Sequence, residues 1–163
     1  MVRFVSAFAF AAILLCSAGQ GSFAQSTPAE IVKARQDGME KMWPDFYKAM
    51  ALTIRSGNPD LTLVAAKAGP ASEHVKKVSQ LFPPGTGRDV VPTTRAKPEV
   101  WTQQADFEVA LTTLVGATNA LGEAAKSGDV EKVKAGWTAV AKACGGCHDG
   151  PKKSGGKFRF EEG

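Results

Sequence analysis

The stretch Val130-Glu131-Lys132-Val133-Lys134-Ala135-Gly136-Trp137-Thr138-Ala139-Val140-Ala141-Lys142-Ala143-Cys144-Gly145-Gly146-Cys147-His148 carries two patterns at once. The first is a helical seam. Val130, Val133, Trp137, Val140, Cys144 and Cys147 follow at steps of 3, 4, 3, 4 and 3, the spacing that keeps side chains on one face of an α-helix. The second is Cys144-x-x-Cys147-His148. In such a motif two thiols add to the vinyl groups of haem, and the adjacent imidazole becomes an axial ligand of the iron. Read together, the patterns put both sulfurs on the buried side of one amphipathic helix, so haem attached there shares the core of the fold.

Three other uses of these residues stand beside haem. A structural zinc site needs four ligands, and Cys144, Cys147 and His148 supply three. A thioredoxin-like redox pair opens a helix, where the dipole lowers the thiol pKa, whereas this pair closes one. A disulfide between residues three apart on a helix is strained. The haem reading meets none of these objections.

Working outward, residues 1–24 read as a secretory signal peptide. Arg3 precedes an apolar run from Val5 to Leu15 that is too short to span a bilayer, and Ser22-Phe23-Ala24 predicts cleavage before Gln25. Leu15 lies where a lipoprotein signal needs a small residue, so Cys16 is expected to leave with the leader. Residues 25–163 then form one domain, with both remaining cysteines in the haem motif. The formal charge of +4 is too mild to argue for nucleic acid. No later segment is apolar enough for membrane insertion. An exported, soluble protein is expected.

Four helices are predicted. Thr27-Pro28-Ala29-Glu30 is a capping box with proline at the first helical position. It opens a helix whose stripe runs through Ile31, Arg35, Met39 (or Gly38), Met42, Phe46, Met50 and Thr53, bent at Pro44. Gly57-Asn58-Pro59 ends it. From Asp60, the seam Leu61, Val64, Ala68, Ala71, Val75, Val78 and Phe82 keeps its phase across Gly69-Pro70, predicting one kinked helix. A long polar loop reaches Lys97. Pro98-Glu99 opens a third helix with Val100, Phe107, Leu111, Leu114, Thr118, Leu121 and Ala125 inward, and Ser127-Gly128-Asp129 breaks the chain before the haem-bearing helix. Short connections make the bundle antiparallel. His74, at the edge of the second seam, reads as a solvated or satisfied histidine. The Gly- and Lys-rich tail after His148 should end the last helix.

With these elements in hand, the chain resembles the cytochrome c′ family, the class II cytochromes c. The likeness rests on Ala34-Arg35-Gln36-Asp37-Gly38-Met39, Phe82-Pro83-Pro84-Gly85-Thr86, Lys97-Pro98-Glu99-Val100-Trp101 and the motif Cys144 to His148 near the C-terminus. The resemblance implies an all-α, antiparallel up-down-up-down four-helix bundle with one haem c per chain in the bundle core, covalently held through two thioethers. It implies that Arg35 and Gln36 donate to a haem propionate and that Met39 faces the iron opposite His148. Lys152 stands where the family often has an arginine, which leaves the surroundings of His148 on that side open. Family members often pair as homodimers through their first two helices, here the helices that carry Pro44 and Pro70.

Two functions follow. The expected one places the chain in the low-spin, methionine-ligated branch: with His148 and Met39 as axial ligands, the protein is a bacterial periplasmic electron carrier serving redox partner proteins, because thioether ligation raises the reduction potential. With Met39 only packing, the haem is five-coordinate and binds a diatomic gas, NO or CO, for sensing, storage or protection. An enzyme such as a peroxidase is disfavoured, since no distal histidine is paired with an arginine.

Overall fold

A computed structural model of the chain describes residues 26–148 and 156–160; the expected signal peptide and the tail around Lys152 lie outside them. Helix α1 (Pro28–Met42) starts at the predicted capping box. The Thr27 hydroxyl accepts from the Glu30 N–H at 3.3 Å, and the Glu30 carboxylate accepts from the Thr27 N–H at 2.7 Å. The Thr27 N–H and the Thr27 hydroxyl, which donates to the same carboxylate at 2.9 Å, favour the ionised acid and hold the Glu30 carboxyl below its ordinary value.

Pro44 does not break the first helix. A π-helical stretch (Trp43–Lys48) carries the chain into α2 (Ala49–Arg55). A wider turn accommodates a residue that has no N–H to give and crowds the turn before it. Arg35, Gly38, Phe46 and Met50 are buried as expected, whereas Val32 is buried in place of Ile31 and Ile54 in place of Thr53.

Gly57, at φ 84°, makes the turn into α3 (Leu61–Ser79), whose N-terminus is capped by the Asp60 carboxylate accepting from Leu63 N–H at 2.9 Å. This helix is continuous through Gly69-Pro70, which face solvent, while Val64, Ala68, Ala71, Val75 and Val78 are buried. The third helix is divided. Gln103, with φ −124° and ψ 49°, turns a corner between α4 (Glu99–Thr102) and α5 (Gln104–Lys126). Gly128, at φ 77°, closes the turn into α6 (Val130–His148), and Asp129 accepts from Lys132 N–H at 3.0 Å.

The four helical segments run up, down, up and down as an antiparallel bundle, with α3 packed along α5 and α5 along α6. Among the described residues there is no strand, only an isolated antiparallel bridge between Ala96 and Arg159. Two apolar clusters fill opposite parts of the bundle. One joins Phe46, Met50, Val64, Leu121, Val133 and Val140. The other joins Ala96, Val100, Phe107 and Phe158, with Phe82 and Cys147 packed against it.

Candidate haem site

The seam residues at the end of the bundle where α6 finishes are less buried than the sequence pattern predicts. Leu111, Leu114, Cys144 and Cys147 are only half-buried, and all four line one cavity of about 770 Å³. That volume lies within the range of roughly 300–1,000 Å³ usual for cofactor and ligand sites. The walls come from all four segments of the bundle. Met39, Met42 and Phe46 stand on the first segment, Val75 on α3, Leu111 and Leu114 on α5, and Cys144, Cys147 and His148 on the last turns of α6. All six residues expected from the sequence to bind the cofactor, Arg35, Gln36, Met39, Cys144, Cys147 and His148, lie along this one cavity.

The competing uses of the motif fit the structure poorly. Cys144 and Cys147 are present as thiols rather than as a disulfide. Burial pushes the Cys147 thiol above its ordinary value, the reverse of what a reactive redox pair requires. Among the described residues, no three His, Cys, Asp or Glu side chains are grouped so as to hold a metal ion. By contrast, a large apolar cavity with two thiols and an imidazole on one wall suits a flat, mostly apolar ring that is attached by thioethers and ligated by histidine.

Arg35 has a more definite setting than the sequence implied. It is 4 % exposed, and its guanidinium clamps the loop between α3 and α4. Nη1 donates to Leu81 O at 3.1 Å and Thr86 Oγ1 at 3.3 Å; Nη2 donates to Thr86 O at 3.1 Å and Thr94 Oγ1 at 2.6 Å. The Phe82 ring lies 4.4 Å from its centre. Burial without a nearby carboxylate lowers its pKa to about 10. Gln36 joins the clamp, its side-chain amide donating to Thr93 O at 3.1 Å. His74 is satisfied: its Nε2 lies 2.7 Å from Gly38 O, and since a carbonyl only accepts, Nε2 carries a proton.

Among the lining residues that the sequence does not single out are Thr94, Arg95, Phe158 and Arg159. The first two lie in the polar loop before α4. The other two belong to Lys157-Phe158-Arg159-Phe160, whose basic–aromatic alternation is a period-2 signal beyond the Gly- and Lys-rich stretch.

The family model for cytochrome c′ matches residues 30–150. The chain belongs to the cytochrome c′ family. It is 30 % identical over 122 residues to cytochrome c′ of Rubrivivax gelatinosus, covering 75 % of this chain and 93 % of that protein. The crystal structure of the Rubrivivax protein matches with a TM-score of 0.68, covering 82 % of this chain and 98 % of that one. A carbon-monoxide-bound variant of cytochrome c′ from Alcaligenes xylosoxidans is 25 % identical, with a TM-score of 0.70 over 83 % of this chain and 98 % of that one. A nitric oxide complex of another variant of that protein matches equally well, again 25 % identical with a TM-score of 0.70 over 83 % and 98 %. Cytochromes c′ carry one covalently attached c-type haem per chain, and the residues of this member fit that group. The expectation of a His148/Met39 electron carrier draws no support from these relatives, one of which holds carbon monoxide or nitric oxide in its variant structures. Residues 151–163 lie beyond the family match.

Proposed function

We propose that the protein is a five-coordinate cytochrome c′ that binds a diatomic gas, NO or CO. The observation that carries this reading is the match across the whole bundle to cytochromes c′ whose solved structures hold carbon monoxide and nitric oxide. Haem supplies the iron that takes up the gas. Cys144 and Cys147 tether the ring by thioethers, and His148 is the protein ligand. Met39, with Met42 and Phe46, forms an apolar wall along the cavity. Such a wall excludes water and anions but admits a small neutral molecule. Arg35 holds the loop over the cavity with its four terminal N–H groups, and its remaining Nε–H is the donor for a propionate, with Gln36 beside it. The role is binding rather than catalysis.

Residues 1–24 read as an export signal, and no helix among the described residues is long and apolar enough to cross a membrane. The periplasm is therefore the proposed location, and pairing of two chains through their first helices the proposed assembly.

The electron-carrier alternative keeps one observation in its favour, since Met39 lines the cavity. Absorption spectra of reduced protein with and without carbon monoxide separate the two. The gas-binding reading predicts a broad high-spin spectrum, rapid carbon monoxide uptake and little change in Met39→Leu. Sharp low-spin bands that Met39→Leu converts to high-spin would make Met39 a ligand and the protein an electron carrier.

A further inference from the structure

The described tail returns to the cavity and is fastened there by backbone and side chains. Lys97 N–H donates to Phe158 O at 3.0 Å and Phe160 N–H to Arg95 O at 2.8 Å, which sets Ala96 opposite Arg159 in the bridge. Lys97 Nζ donates to Gly156 O at 2.8 Å, and Lys157 pairs with Asp106 at 2.6 Å. Gly156 is pressed so closely against the carbonyl of Cys147 that a Cβ there would collide with α6 backbone. Only glycine fits. Phe158 is 5 % exposed and meets the edge of Phe107 with ring centroids 5.1 Å apart. The tail thus touches the end of the haem-bearing helix, the loop before α4 and the start of α5.

What the tail brings to the cavity is charge as well as an apolar wall. Among the described residues that line the cavity are three arginines, Arg35, Arg95 and Arg159, and one carboxylate, the exposed Glu40 on α1. Haem carries two carboxylates, and a carboxylate taken out of water is stable only when paired. Arg35 has already committed its four terminal N–H groups to Leu81, Thr86 and Thr94, so it offers one donor at most. Arg95 and Arg159 lie at neighbouring registers of the bridge, and both line the cavity.

We propose that residues 156–160 are a cofactor strap, in which Arg159, with Arg95 beside it, pairs with a haem propionate. The proposal rests on the haem reading of the cavity. It assigns a propionate partner to a segment outside the family match, and it makes Phe158 the apolar anchor that holds the arginine in position.

The test is Arg159→Gln in the full, haem-loaded chain, read by the reduction potential as a function of pH. Loss of the cation disfavours both the ionised propionate and the reduced haem's more negative charge. The potential should fall, and the pH at which its slope changes should move upward. Arg159→Lys should recover part of both shifts. Arg88→Gln is the control: Arg88 sits over Phe160 at 4.5 Å but does not line the cavity, and its loss should leave both values unchanged. A wild-type potential and profile in Arg159→Gln overturns the proposal. A crystal structure of the haem-loaded wild-type protein tests the same contact without any substitution. Arg159 should lie within hydrogen-bond distance of a propionate oxygen, and propionates paired elsewhere would refute the strap. If wild-type protein fails to attach haem, the haem reading itself falls, an outcome distinct from either result for Arg159.

Discussion

The two ends of the bundle are built from the same four seams yet end differently. At the end near the α2–α3 and α5–α6 turns, Met50, Val64, Leu121 and Val133 are wholly buried and meet one another. At the other end Leu111, Leu114, Cys144 and Cys147 continue the α5 and α6 seams but stay half-buried around a cavity of about 770 Å³. The apolar pattern is continuous and the packing is not. Protein interiors fill to near-crystalline density, so an apolar seam whose residues touch the core on one side and border a large cavity on the other marks room for a group the chain does not encode. The closed end supplies stability and the open end supplies the site.

The largest expected effect compares one leucine from each end. In haem-free protein, Leu121→Ala should cost about 2–5 kcal/mol in chemical denaturation, since it opens a new cavity in a filled core. Leu111→Ala should cost only about 1 kcal/mol, because that side chain already borders open space. Attaching haem should raise the Leu111 cost toward that of Leu121. Equal costs in the haem-free chain would erase the distinction between the ends.

A smaller effect is expected at Arg35. Arg35→Leu leaves Leu81 O, Thr86 O and the Thr86 and Thr94 hydroxyls without their donor, a loss of about 1–3 kcal/mol. The loosening should be local. Hydrogen exchange should accelerate in the loop spanning residues 81–94 while α5 and α6 keep their protection. Unchanged exchange in that loop would mean that Arg35 is not its clamp.

The closed end was the more legible in the sequence, for a physical reason. A seam that packs against other seams has only helical periodicity to obey, so Val64, Leu121, Val133 and Val140 could be read from spacing alone. The capping box at Thr27 was equally readable, because it is a local bond between residues three apart. The stripe of the first segment held at Arg35, Gly38, Phe46 and Met50 and missed by one residue only at its two ends, while the π-helical stretch itself leaves no mark in the sequence beyond Pro44. The corner at Gln103 had no proline or glycine to announce it.

At the open end the motif residues were legible and their setting was not. Cys144, Cys147 and His148 are fixed by a five-residue pattern. The contacts of Arg35 join residues 46 to 59 positions apart, and those of Phe158 and Arg159 link the tail to a loop some sixty residues earlier. Such pairings follow from the path of the chain in space, to which local spacing is blind.

The claim that the open end is a covalent haem site is tested most directly by denaturing the exported protein, extracting it with acidified organic solvent and analysing its peptides by mass spectrometry. The account predicts that the haem stays with the chain and that the peptide holding Cys144 to His148 carries one haem through both sulfurs. Haem that partitions into the solvent, leaving Cys144 and Cys147 as unmodified thiols, would contradict it.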